Sequence, residues 1–159
     1  MHPLVAELKE QYLYTLGMYE RVLQACTDEI WDKSYAGIPF WREAYHTIFW
    51  LHTFLGTEDK VFHPQPFGRD IDPQLTTPPN ATCACMEARQ YALETKGYVE
   101  EVFDKLTLPA LTEEKHAWCG EFRTVYHRLL YGLRHGQHHI GRLTAFLHLE
   151  GVKVDAWQG

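Results

Sequence analysis

The sequence predicts an all-α protein, a four-helix bundle with a long crossover between its second and third helices. Three observations predict it: apolar residues recur at helical spacing through four long stretches, no stretch alternates apolar and polar as a half-buried strand does, and the longest interval between the helical stretches is crowded with proline.

Residues 4 to 26 place Leu4, Leu8, Tyr12, Leu16, Tyr19, Leu23 and Cys26 on one stripe, with Glu7, Lys9, Glu10 and Arg21 off it, which predicts an amphipathic first helix. Gly37-Ile38-Pro39 breaks the chain. Residues 41 to 56 then form an almost wholly apolar second helix ending near Gly56, and apolarity all round predicts central burial. Pro64, Pro66, Pro73, Pro78 and Pro79 with Gly68 make 57 to 82 an irregular connection, long enough to join distant helix ends. A third helix is expected from about Cys83 to Leu106, with Glu87, Tyr91, Glu94 and Tyr98 on one side and Ala88, Ala92, Val99, Val102 and Phe103 on the other. Leu108-Pro109 ends it. The fourth helix is expected from about Cys119 to Glu150, with Leu129, Leu133, Ile140, Leu143 and Leu147 inward and Gly151 as its C-terminal cap.

The 159 residues predict a single domain, 1–159, large enough to build a core without staples. A formal net charge of -6 with scattered Lys and Arg argues against nucleic acid or an anionic membrane as partner. Neither an export signal nor a membrane span is legible, so Cys26, Cys83, Cys85 and Cys119 are expected as reduced thiols in a cytoplasm. Cys83-Ala84-Cys85 lacks the second cysteine pair of a zinc site, and packing at a helix start accounts for it better.

Three of the ten histidines crowd into Arg134-His135-Gly136-Gln137-His138-His139-Ile140-Gly141-Arg142-Leu143. Measured from the centre of the apolar face, His139 lies roughly 80° away, His135 roughly 120° and His138 nearly opposite, so the first two look toward one edge of the interior and His138 looks out. Two imidazoles one turn apart suit a borderline-soft divalent metal, but a third donor must come from another helix. His46 and His52 on the second helix both qualify, and periodicity does not choose between them. His52 shares a stripe with Trp41, Tyr45, Ile48 and Leu55, where a core histidine with one ring nitrogen hydrogen-bonded is the plainer reading. His63, His116, His127 and His148 match no ligand spacing. Glu94 and Tyr98 are candidates to orient a ligand imidazole or donate a proton.

Trp41-Arg42-Glu43-Ala44-Tyr45-His46 together with the His135 to Leu143 segment resembles the DinB-like (YfiT-related) four-helix-bundle superfamily, over most of the chain in layout though only at short motifs in sequence. The resemblance implies a divalent transition metal (zinc, nickel or iron) held by His46, His135 and His139, with water completing the coordination. The interval between Trp41 and His46 is shorter than in many such proteins, which keeps His52 open as a substitute. It also implies metal-dependent enzymes that use water or a low-molecular-weight thiol on a small-molecule substrate, as S-transferases or hydrolases. The alternative is a non-catalytic metal- or ligand-binding module, including a dimeric stress protein. An accessible pocket with a free coordination position would favour the enzyme.

Overall fold

The computed structural model describes residues 1–56, 67–114 and 121–157. Helix dominates them, and the all-α class expected from periodicity is what is found. The order is α1 (Pro3–Ala25), α2 (Asp28–Trp31), β1 (Ser34–Tyr35), β2 (Ile38–Pro39), α3 (Phe40–Leu55), α4 (Cys85–Lys105), α5 (Leu108–Thr112) and α6 (Val125–Leu149). Cys119, His63 and His116 fall outside the described residues.

Pro3 opens α1 in the first turn, where its missing N–H costs nothing, and His2 Nδ1 accepts from Leu4 N at 3.2 Å as the cap. The stripe read from the sequence is buried from Leu8 to Cys26. Two of its tyrosines do more than fill space. Tyr12 Oη donates to the Leu129 carbonyl of α6 and Tyr19 Oη to the Ala44 carbonyl of α3, each at 2.9 Å, so α1 is tied to both helices that carry the site.

The long helices contact one another mainly along four edges, α3 with α6 and α4, and α1 with α4 and α6. The α3–α6 edge is the closest-fitting, and glycine is the reason. A Cβ on Gly132 would stand 2.6 Å from Tyr12 Oη and 2.8 Å from Phe54 Cβ, and one on Gly136 would stand 2.6 Å from Leu51 Cδ2. Without these side chains the α6 backbone settles against α3 and α1. Gly151, at φ +78°, ends α6 as the sequence predicts: its N–H bonds to the His148 carbonyl at 3.0 Å and that of Val152 to Leu147 at 2.9 Å.

Several local expectations are corrected. Where no strand was expected, Ser34 pairs with Pro39 and Tyr35 with Ile38 in a two-residue antiparallel ladder, because Ala36 and Gly37 both take positive φ in the tight turn between them. Tyr35 then stacks on Phe146 of α6, centroids 4.3 Å apart. The fourth long helix starts at Val125 rather than near Cys119, since the Thr124 hydroxyl caps it by accepting from His127 N at 3.0 Å. The chain after Leu106 forms the short α5, capped by Thr107 with Pro109 in its first turn. The third helix begins at Cys85. Tyr91, expected beside Glu87 and Glu94 on a polar side, is 1% exposed and packs near Tyr45.

Residues 67–84 contain no helix or strand, yet they are ordered by their own hydrogen bonds. Asp72 N–H donates to Asn80 Oδ1 at 2.8 Å, Gln74 N–H to Asp72 Oδ1 at 2.9 Å, and the buried Arg42 guanidinium of α3 donates to the Gln74 and Thr77 carbonyls. The crossover is thereby fixed over one end of the site. No helix among the described residues is long and apolar enough to cross a membrane.

The packing yields a paired expectation. Gly132→Ala should destabilise by about 1–3 kcal/mol, since Phe54 Cβ cannot swing aside. Gly141→Ala, where a Cβ meets nothing within 4 Å, should stabilise by up to ~1 kcal/mol through helix propensity. Thermal unfolding of the two variants against the parent checks this, and equal shifts would contradict the close approach.

Candidate metal centre

An almost wholly apolar helix brings its few polar side chains into the core with it. Along the first two turns of α3, Arg42, Glu43 and His46 are buried at 5%, 0% and 7% exposure, and each must find its partner inside the protein. His46 finds them on both sides of its ring. Nδ1 stands 2.6 Å from the Pro73 carbonyl of the crossover, while Nε2 stands 3.2 Å from His135 Nε2 and 3.1 Å from His139 Nε2 on α6. His139, 7% exposed, directs its Nδ1 at Glu43 Oε1, 2.5 Å away, and that oxygen also takes Arg142 Nε at 3.2 Å.

These partners decide the tautomers. A carbonyl oxygen only accepts, so His46 carries its proton on Nδ1 and leaves Nε2 as a bare lone pair. An ionised carboxylate likewise accepts, which puts a proton on His139 Nδ1 and directs Nε2 at the cluster. Two ring nitrogens turned on each other at 3.1 Å need a proton or a metal cation between them. A proton would serve one pair of nitrogens, whereas here the donor atoms of His46, His135 and His139 all lie within 4.8 Å of one another. That convergence suits a metal ion. At a metal–nitrogen distance of ~2.05 Å, ligand nitrogens stand ~2.9 Å apart at right angles and ~3.3 Å apart at the tetrahedral angle. The observed 3.1 and 3.2 Å fall between, so the three residues could hold a divalent transition metal.

Electrostatics favour the neutral, ligating form. Burial, reinforced by the neighbouring His139, pulls His46 down to about 4 against the opposing pull of the Pro73 carbonyl, and burial with the charges of His139 and His46 pulls His135 down to about 3. Both imidazoles are therefore neutral at pH 7.

The remaining candidates separate cleanly. His138 is exposed, as the helical wheel predicts. His52 turns to α4: its Nδ1 lies 3.1 Å from Thr95 Oγ1, whose own proton goes to the Tyr91 carbonyl, so His52 is the donor. It stacks on Tyr98 at 4.7 Å and has no part in the cluster. Glu94 is exposed and accepts from Gln90, and Tyr98 serves His52, so neither orients a ligand imidazole. Glu43 has that position instead. Its signal was legible as a lone carboxylate on an otherwise apolar helix face, one turn before His46. Cys26, Cys83 and Cys85 are free, and burial pushes the first two up to about 12 and raises the third.

Beside the cluster a cleft of about 790 Å³ opens, with His46 and His135 in its wall. Phe54 and Phe122, packed with Trp50 and Tyr131, form an aromatic group of their own there, separate from the main core.

Two expectations follow. His46→Ala, His135→Ala and His139→Ala should each abolish most zinc or nickel binding, whereas His138→Ala should keep it and His52→Ala should lower thermal stability while keeping it. Equilibrium dialysis with elemental analysis reads this, and equal metal content in all five variants would refute the assignment. In metal-free protein, His46, His52 and His135 bind protons less readily folded than unfolded, so stability is full above the unfolded value near 6.5 and falls as pH drops toward about 4 and 3. Denaturant melts at pH 7, 5.5 and 4.5 should show that decline, and saturating metal should hold it off at the higher two values.

Compared with known proteins, the chain matches no family model, no curated protein and no solved structure, so its own geometry is what supports a functional reading.

Proposed function

We propose that the chain is a DinB-like four-helix bundle that holds zinc, nickel or iron through His46, His135 and His139. On this reading it is a metal-dependent enzyme that brings water or a low-molecular-weight thiol to a small-molecule substrate, as a hydrolase or S-transferase. Four long helices meeting along four edges, with the crossover between α3 and α4, support the bundle. The observation that carries the metal is the convergence of three ring nitrogens inside the protein, with His46 Nε2 3.2 Å from His135 Nε2 and 3.1 Å from His139 Nε2.

The cleft favours an enzyme over a closed binding module. A molecule entering it reaches His46 and His135 directly, and three histidine ligands leave further coordination positions. A divalent cation in this setting supplies Lewis acidity that draws the pKa of a water or thiol toward neutrality. The chain's own residues do the rest. The Pro73 carbonyl and the Glu43 carboxylate orient the rings of His46 and His139, Arg142 Nε pairs with Glu43, and burial keeps His46 and His135 neutral. Trp50, Phe54 and Phe122 thin the water around the reacting groups. Because burial raises the described cysteines, the reactive thiol of a transferase reaction comes from solution. Free Cys26, Cys83 and Cys85 fit a reducing cytoplasm.

Glu43→Gln tests the orienting carboxylate and should weaken metal binding by roughly 10- to 100-fold while sparing the fold. For the chemistry, metal is stripped from the protein with a strong chelator while circular dichroism and turnover of an electrophile panel, with and without small thiols, are followed together. Turnover should rise with pH, vanish on chelation and return with metal, and helicity should persist because the apolar stripes supply the core. Helical collapse on chelation would make the site structural, and no turnover of any panel member by metal-loaded protein would return the function to a binding module.

A further inference from the structure

The cleft beside the histidines has a chemistry of its own. Its walls are aromatic, with Trp50 and Phe54 from α3 and Phe122 and Tyr131 from α6 and the segment before it. Trp50 and Phe54 lie nearly parallel, centroids 5.5 Å apart at 30°, and Tyr131 lies at 21° to the His135 ring. Phe54, Phe122 and Tyr131 pack edge to face on one another, so the apolar surface offered to a flat ligand is that of the partly buried Trp50 and Tyr131.

Among the described residues, one guanidinium lines the same cleft. Arg134, exposed on α6, makes no ion pair among the described residues, and its guanidinium lies over the Tyr131 ring with Cζ 5.0 Å from the centroid. Stacking of this kind orients the guanidinium plane while leaving its N–H edge free, which is the geometry that takes a carboxylate through two parallel hydrogen bonds. Glu121 lines the cleft as well. Its carboxylate opposes a second negative charge, so the arrangement selects one anionic group and disfavours a polyanion such as a phosphate ester.

We propose that the cleft binds an aromatic carboxylate, with its ring against the partly buried Trp50 and Tyr131 and its single carboxylate on Arg134. This rests on the reading of the cluster as the reaction centre only for the direction of the ligand's other end, toward His46 and His135. Recognition by Arg134 and the aromatic walls does not need the metal.

The test uses 3-phenylpropanoate and its neutral isostere 3-phenylpropanamide, titrated into the whole protein and followed by tryptophan fluorescence and calorimetry, with metal content measured on each sample. The acid should bind roughly ten-fold or more tightly than the amide at pH 7, as a charge-assisted bidentate contact allows. Arg134→Gln, an exposed and conservative change, should erase that preference and leave amide binding as it was. Glu121→Gln should tighten acid binding. Equal affinity for acid and amide in the parent protein, a preference that survives Arg134→Gln, or binding of neither probe at millimolar concentration would each overturn the proposal. Protein that takes up no zinc or nickel on dialysis yet keeps the Arg134-dependent preference would sink the metal reading and leave this one standing. Metal-loaded samples without it would do the reverse.

Discussion

The contact between α3 and α6 is the constraint on which everything else depends. Gly132 and Gly136 remove the side chains that would hold the helices apart, and Leu51 and Phe54 fill the space against the bare α6 backbone. At that separation imidazoles from the two helices converge on one point, His46 meeting His135 and His139 at 3.2 and 3.1 Å. A wider spacing would leave the same residues as three ordinary buried or half-buried histidines. The tyrosines of α1 hold this geometry from behind, through hydrogen bonds to carbonyls on both helices.

A polar system inside an apolar helix is costly unless each group is satisfied, and here satisfaction is shared among distant segments. Arg42 takes carbonyls from the crossover, Glu43 takes His139 and Arg142 from α6, and His46 takes Pro73 from the crossover. One turn of α3 therefore couples the crossover to α6. Imidazoles whose Nδ1 is held by a carbonyl or a carboxylate, as those of His46 and His139 are, could take a metal with little reorganisation left to make. The crossover thus bears directly on the chemistry of the cluster, since its Pro73 carbonyl settles which nitrogen of His46 is bare.

The aromatic side chains divide into two populations with different work. Tyr12, Tyr19, Tyr45, Tyr91, Phe40, Phe49 and Phe103 are buried throughout and belong to the main core. Phe54 and Phe122 form a second cluster with Tyr131 and with Trp50, which also packs on the main core, and these four wall the cleft.

Periodicity alone determined the four long helices, the inward stripes of α1 and α6, the outward position of His138 and the glycine cap at Gly151, because each depends on side-chain spacing along a single helix. Short elements escaped it: α2, α5 and the Ala36-Gly37 hairpin are too brief to show a period, and the Thr124 cap that starts α6 is a single hydroxyl. Tertiary structure alone decided between His46 and His52, which diverge by roughly 120° on one helix and so face different neighbours. One meets α6 and becomes part of the cluster, and the other meets α4 and bonds Thr95. The same holds for the carboxylate beside His139, where the sequence pointed to Glu94 and the fold supplies Glu43. Helix-wheel reasoning gives the direction of a side chain from its own axis, but which helix lies in that direction is set by packing between segments far apart in the chain, and that packing gave Glu43 the His139 imidazole and left Glu94 to solvent.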